Sequence, residues 1–179
     1  MQIDLKDAHL LIAPRPIALI TTVDRRGRIN AAPMSWVMPV EFDPPIVAFS
    51  TSYESDTYRN VRDTEEFVLN LVPEKIKKQM YFCSKDFPRG VNELEKACLK
   101  WEPSVKVKPP RVVECHANLE CKLNWTHEGP EYVVVGGKVV AAHAQKDSIK
   151  AGRLNASFVK PLLHLSDKNF LIGDHETGL

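Results

Sequence analysis

A chain of 179 residues with a formal charge of +1 is long enough to bury a real core, and it is expected to form one domain over residues 1–179. Its 44% hydrophobic and 26% charged content is that of an ordinary globular protein, so no global field for recruiting nucleic acid or an anionic membrane is built into it. No apolar run approaches the ~20 residues of a membrane helix, and Pro14, Arg15 and Pro16 break the apolar start, so neither a membrane span nor a secretory signal is expected.

Leu5 to Ile12 reads as a short lead-in ended by those prolines. Pro16 to Val23, rich in Ile, Leu, Thr and Val, is a predicted strand, and Asp24-Arg25-Arg26-Gly27 a turn with Gly27 at a left-handed position. Arg28 to Ala32 returns as the hairpin partner. Pro33 and Pro39 lack the donor a central strand needs, so a loop carrying Ser35 and Trp36 is expected from Pro33 to Pro39. Asp43-Pro44-Pro45 is a second stop before a short buried strand, Ile46 to Ser50. Ser52 to Asp63 is a predicted helix with Ser55, Asp56 or Thr57 as its N-cap.

Glu66 to Val72 is the next strand. Glu74 to Ser84 and Val91 to Cys98 read as helices around a Phe87-Pro88-Arg89-Gly90 turn, and Arg25, Arg26, Arg28, Lys75, Lys77 and Lys78 as solvated positions. Val112 to Leu123 and Tyr132 to His143 are long β-type runs joined near Glu128-Gly129-Pro130, and Gly136-Gly137 signals a bulge or close backbone approach. Helical insertions in an antiparallel β-pattern, without βαβ alternation, predict a mainly β protein, a small β-barrel with helical insertions.

Two stretches carry candidate chemistry. Ser50-Thr51-Ser52 followed by Ser55-Asp56-Thr57 offers hydroxyls and N–H groups at a helix N-terminus, which suits a phosphate; a plain capped helix has the same spelling. The Asp56 carboxylate opposes an anion there, and Arg59 and Arg62 are in range to offset it. In Asn30-Ala31-Ala32-Pro33-Met34-Ser35, small residues let backbone approach a flat ring while Asn30 and Ser35 supply hydrogen bonds; a strand end at a proline reads the same way. Cys83, Cys98, Cys115 and Cys121 show no C-x-x-C spacing, so reduced thiols in a cytoplasmic protein are expected. Alternation places Cys115 and Cys121 on one strand face and His116 on the other, without the usual spacing of a zinc site, and no metal is expected. His164 reads as a packed or capping histidine. No Walker, G-x-S-x-G, H-E-x-x-H or G-x-G-x-x-G pattern occurs.

In order along the chain, P-R-P-I-A-L-I-T-T, N-A-A-P-M-S, D-P-P-I-V-A-F-S, S-D-T-Y-R-N-V, E-F-V-L-N-L, R-G-V-N-E-L-E-K-A, L-E-C-K-L, V-V-V-G-G-K-V-V and P-L-L-H-L resemble the flavin reductase-like, flavoredoxin-type FMN-binding proteins. The resemblance implies an FMN-binding split barrel with Greek-key-like antiparallel strands, a homodimer, and non-covalent FMN near the subunit interface. It implies that Asn30, Ala32, Pro33, Met34, Ser35 and Trp36 face the isoalloxazine ring. Ser50, Thr51, Ser52, Ser55, Asp56 and Thr57 would hold the ribityl phosphate, and His164, in Pro161 to Ser166, would approach the flavin from the partner subunit. The activity implied is NAD(P)H-dependent reduction of the flavin and electron transfer to an unknown acceptor. No side chain is assigned as catalytic, because the cofactor carries the chemistry. An electron carrier without nicotinamide turnover and a cofactor-free assembly dimer are the rival readings, and a pyridoxamine-phosphate-oxidase-like reading lacks its basic cluster.

Overall fold

The computed structural model describes residues 2–178, so the two ends of the expected 1–179 unit lie outside the described residues. A 3-10 segment, Leu5–Leu11, capped by the Asp4 carboxylate on Lys6 N–H, leads into β1 (Arg15–Pro16) and β2 (Ala18–Val23), whose six residues are all buried. The turn to β3 (Ile29–Met34) is the one expected: Gly27 has φ 77°, and the Asp24 carboxylate accepts from Arg26 N–H and Arg28 N–H. β4 (Val37–Phe42), β5 (Pro45–Ser52), α1 (Asp56–Thr64) and β6 (Glu66–Leu71) follow.

The two middle helices are shorter than expected. Glu74–Ile76 is a 3-10 turn before α2 (Lys77–Phe82), and α3 covers only Glu93–Lys96, with Asn92 as its cap. The chain then forms β7 (Trp101–Glu102), β8 (Arg111–Val112), β9 (Ala117–Glu128) and β10 (Tyr132–Ala144). It ends with β11 (Ile149–Lys150), β12 (Arg153–Leu154), α4 (Ala156–Val159), β13 (Leu162–Ser166) and β14 (Asn169–Ile172).

Seven strands make the main sheet in the order β3-β2-β6-β9-β10-β5-β4, every pairing antiparallel. Its edges, β3 and β4, are consecutive in the chain and separated only by Ser35 and Trp36. Two residues span less than about 11 Å even when extended, so the sheet must roll until its edges meet there. The result is the expected mainly β architecture, a split barrel, with β1, β13 and β14 forming a small sheet beside it.

One expectation is corrected. Pro33 to Pro39 is not a loop: Pro33 lies opposite Leu19 in β3 and Pro39 opposite Val47 in β4. Both are edge strands, where a missing N–H removes no ladder bond. The break is confined to Ser35-Trp36, and Ser50 N–H donates to Trp36 O across it at 2.9 Å.

Two apolar clusters fill the interior. One gathers Ile17, Leu19, Ala31, Val72, Met80, Leu94 and Leu162. The other gathers Ala18, Ile20, Phe49, Val61, Phe67, Cys121 and Val135. Cys115 belongs to the first and Cys121 to the second, so the shared face expected for them is wrong. β9 begins only at Ala117, after Cys115 and His116, and strand alternation does not reach back to them.

Gly136-Gly137 is both bulge and close approach. The β9–β10 register shifts between them, and a Cβ at Gly137 would overlap the ring of Phe67, which is fully buried and packs edge-on against Phe49 at 5.1 Å. Gly137→Ala is therefore expected to cost about 1–3 kcal/mol through overpacking. A urea midpoint unchanged from the parent protein would contradict that reading.

Candidate functional site

The start of α1 is built by β5 and by a serine cap. Of the three caps considered, it is Ser55 that takes the role: its Oγ accepts from Tyr58 N–H at 3.1 Å and donates to Ser52 O at 2.8 Å. That hydroxyl is spent on the fold, with Thr51 Oγ1 3.0 Å away. Ser52 Oγ accepts from Glu54 N–H, and Thr57 Oγ1 accepts from Asn30 Nδ2 at 3.1 Å. Each of these two hydroxyls therefore keeps its own proton to donate. The N–H groups of Asp56 and Thr57, in the first turn, have no intrahelical partner.

Asn30 is placed differently from its expected neighbours. Its amide donates to Thr57 and to Thr22, and Asn60 Nδ2 donates to the same Thr22 hydroxyl at 3.1 Å. Asn30 thus stands with the α1 start, not with Ser35. Five residues of β3 at roughly 3.3 Å each separate the two by about 16 Å. Glu93 holds this edge strand from outside, its Oε2 accepting from Ala31 N–H at 2.8 Å. Burial pushes the Glu93 carboxyl up, against the pull of that Ala31 N–H.

Asp56 does not leave the α1 start negative. Its carboxylate faces Arg89 at 3.7 Å and, at 3.8 Å, Arg59, which also pairs with Glu54 at 2.7 Å. The expected helper Arg62 pairs instead with the adjacent Asp63 at 3.6 Å. Arg89 comes from the turn after α2, which is why local spacing around Asp56 did not point to it.

The second half of the site surrounds Ser35. A cleft of about 380 Å³ is lined by Arg15, Ser35, Trp36, Met38, Phe49 and Ser50, among others. A smaller cavity of about 180 Å³ adjoins at Ser35 and includes Pro33, Met34, Tyr81 and His164. Trp36 is 46% exposed, between Tyr132 and His9 at ring separations of 5.8 and 6.0 Å. Ala32 lies in β3 opposite Ile20, two residues from Asn30.

His164 is fixed by its partners. Nε2 stands 3.2 Å from Asp167 O, which only accepts, while Nδ1 meets Ser35 Oγ at 2.9 Å and the Arg15 guanidinium, which only donates, at 3.4 Å. These contacts suit the tautomer with its proton on Nε2, in which the Ser35 hydroxyl donates to Nδ1. Arg15 and His164 face each other across the β1–β13 ladder, 149 residues apart in sequence. Arg15 also caps His9 O at 2.9 Å and Leu165 O at 3.0 Å and pairs with no carboxylate among the described residues. An uncompensated guanidinium thus borders the larger cleft.

A hydroxyl and N–H cradle at a helix start, continued along β5 to an apolar cleft in a split barrel, fits a flavin with its phosphate at the cradle and its ring in the cleft. The family model for the flavin reductase like domain matches residues 11–170, and the chain belongs to this flavin-binding, oxidoreductase-type family. An uncharacterized protein of Aquifex aeolicus is 35% identical over 168 residues, 90% of this chain and 85% of its own. The nitrilotriacetate monooxygenase component B of Bacillus cereus shares the fold at a TM-score of 0.90 and 27% identity, over 99% of this chain and 95% of that one. The 2-nitrobenzoate 2-nitroreductase NbaA of Pseudomonas fluorescens follows at 0.87 and 28% identity, over 99% and 91%. No helix among the described residues is long and apolar enough to cross a membrane.

Proposed function

We propose that this protein binds FMN non-covalently and is an NAD(P)H-dependent oxidoreductase that passes electrons from the reduced flavin to an acceptor. The observation that carries the reading is the run of polar groups from the α1 start through Ser52 and Thr51 to Ser50, which lines the cleft with Trp36 and Ser35. A single helix N-terminus at one end of it suits the one phosphate of a mononucleotide. When bound, the flavin supplies hydride acceptance and electron release.

This chain's residues bind and orient it. The Ser52 and Thr57 hydroxyls and the first-turn N–H groups of α1 donate to the phosphate, where the helix dipole favours negative charge. Arg59 and Arg89 hold the Asp56 carboxylate aside. Trp36, Phe49 and Met38 exclude water from the ring, and Arg15 favours negative charge in the cleft. Ser35, its hydroxyl aimed at His164, fixes the wall between the two cavities.

A homodimer belongs to the same proposal. Edge strand β4 exposes Met38, Val40 and Phe42, the last 95% exposed, and Leu11 and Ile12 are exposed as well. A second copy covering this face would bury an apolar strand edge otherwise open to association. A reducing cytoplasmic setting accords with four free thiols.

Thr57→Val tests the phosphate end. It keeps shape while removing a hydroxyl proton aimed at an anion, and is expected to weaken FMN binding by about 1.5–3 kcal/mol, roughly 10- to 150-fold in Kd. An FMN fluorescence titration matching the parent protein would move the phosphate away from α1.

A further inference from the structure

A third cavity, of about 250 Å³, shares no lining residue with the two at Ser35. Its wall includes His116, Lys75, Lys160, Glu74, Gln145 and Phe158. His116 is only 4% exposed, and its Nδ1 is fully buried without a hydrogen-bond partner. The backbone around it is fixed: His116 N–H donates to Leu71 O at 3.1 Å, and Gln145 N–H donates to His116 O at 2.9 Å. The ring is thus held in the cavity wall. An imidazole carries a donor and an acceptor, and leaving such groups unmet in the interior is costly and uncommon.

The lysines supply the second half of the argument. Lys75 lies in the 3-10 turn Glu74–Ile76, and Lys160 closes α4 with a left-handed backbone at φ 48°, its carbonyl accepting from Glu74 N–H at 2.8 Å. Among the described residues neither lysine is in an ion pair. Two ammonium groups against the one carboxylate of Glu74 leave the rim positive. Gln145 donates its Nε2 to Val113 O at 2.8 Å.

We propose that this cavity is a second binding site, separate from the flavin, for a small oxyanion presented as a carboxylate or a phosphate. The anion accepts from the Nε2–H of His116, since Nδ1 is sealed from the cavity, and takes Lys75 and Lys160 as counter-charges, giving charge-assisted hydrogen bonds. Burial, and then the Lys75 charge, pulls the empty site's imidazole down to about 4. An anion placed between His116 and the lysines reverses that pull. Binding is therefore expected to take up a proton and to tighten as pH falls below neutral.

The test is 15N-edited NMR of the His116 ring in the full chain, titrated separately with sodium phosphate and sodium succinate, with sodium chloride as the ionic-strength control. The expected result is a saturable shift and a raised His116 pKa with one of the two anions, which names the source. The double substitution of the exposed lysines, Lys75→Met with Lys160→Met, should weaken that affinity about tenfold or more while leaving FMN binding unchanged. No saturable shift with either anion, the same shift with chloride, or unchanged affinity in the double variant would each overturn the proposal. Because the readout is the His116 ring itself, these outcomes do not depend on the flavin assignment.

Discussion

Asn30→Asp is expected to weaken FMN binding by roughly 30- to 150-fold while leaving the fold intact. Asn30 donates to Thr22 and Thr57, and both hydroxyls can turn their protons toward an aspartate in its place. The α1 N-terminus tolerates a negative charge, so stability should change little. A phosphate held there would then face a fixed carboxylate. One unit charge about 5–8 Å from another at an effective dielectric of about 20 costs roughly 2–3 kcal/mol. The effect should shrink as salt is added, because the partners lie near the surface. A variant that binds FMN as the parent does, at low salt, would remove the phosphate from this end of β3.

Glu120→Ala is expected to lose about 3–5 kcal/mol of stability, from at least two charge-assisted bonds each worth about 1.5–3 kcal/mol. Glu120, on β9, is fully buried, and its carboxylate accepts from Val105 N–H at 2.9 Å, Lys106 N–H at 2.6 Å and His143 Nε2 at 3.0 Å. It pins the segment between β7 and β8 onto the sheet. Glu120→Gln keeps one acceptor oxygen and should lose roughly half as much. Equal urea midpoints for the parent and the alanine variant would contradict this account.

The same group makes the protein acid-sensitive. Burial pushes the Glu120 carboxyl up, but the N–H groups of Val105 and Lys106 and the His143 ring outweigh it and hold it below its ordinary value. That stability is present above the ordinary carboxylate range and is lost as pH falls through the folded value. His116 adds an earlier loss. Held at about 4 when folded against an ordinary 6.5, it binds its proton in the unfolded chain first, so stability falls as pH drops from 6.5 towards 4. Urea midpoints should decline from pH 6.5 towards 4, and a flat profile there would contradict the His116 assignment. The Glu120 contribution is lost only below the ordinary carboxylate range.

Much of the architecture was legible because it rests on local rules. Strand composition, Gly27 and the Ser55-Asp56-Thr57 cap each act within a few residues. Pro33 and Pro39 misled because proline excludes only a central strand, and edge position is a property of the finished sheet. The family was legible from the ordered resemblance, but the internal arrangement of the candidate site was not. Asn30 stands with Thr57 because side chains on β3 alternate and α1 packs over the strand face carrying Asn30, a tertiary fact. Asn60, three residues after Thr57 and so on the same helix face, was accessible from spacing alone. Arg89 beside Asp56, Glu93 on Ala31 and Arg15 opposite His164 are long-range pairings that no local pattern announces.

The central claim is tested most directly by the absorbance spectrum of the FMN-reconstituted protein, recorded anaerobically before and after NADH and, separately, NADPH. The account predicts retained flavin bands that bleach with at least one nicotinamide at a rate fast enough for turnover. Bands that persist with both and bleach only with dithionite would contradict nicotinamide-dependent turnover and leave an electron carrier; failure to retain flavin would contradict the site itself.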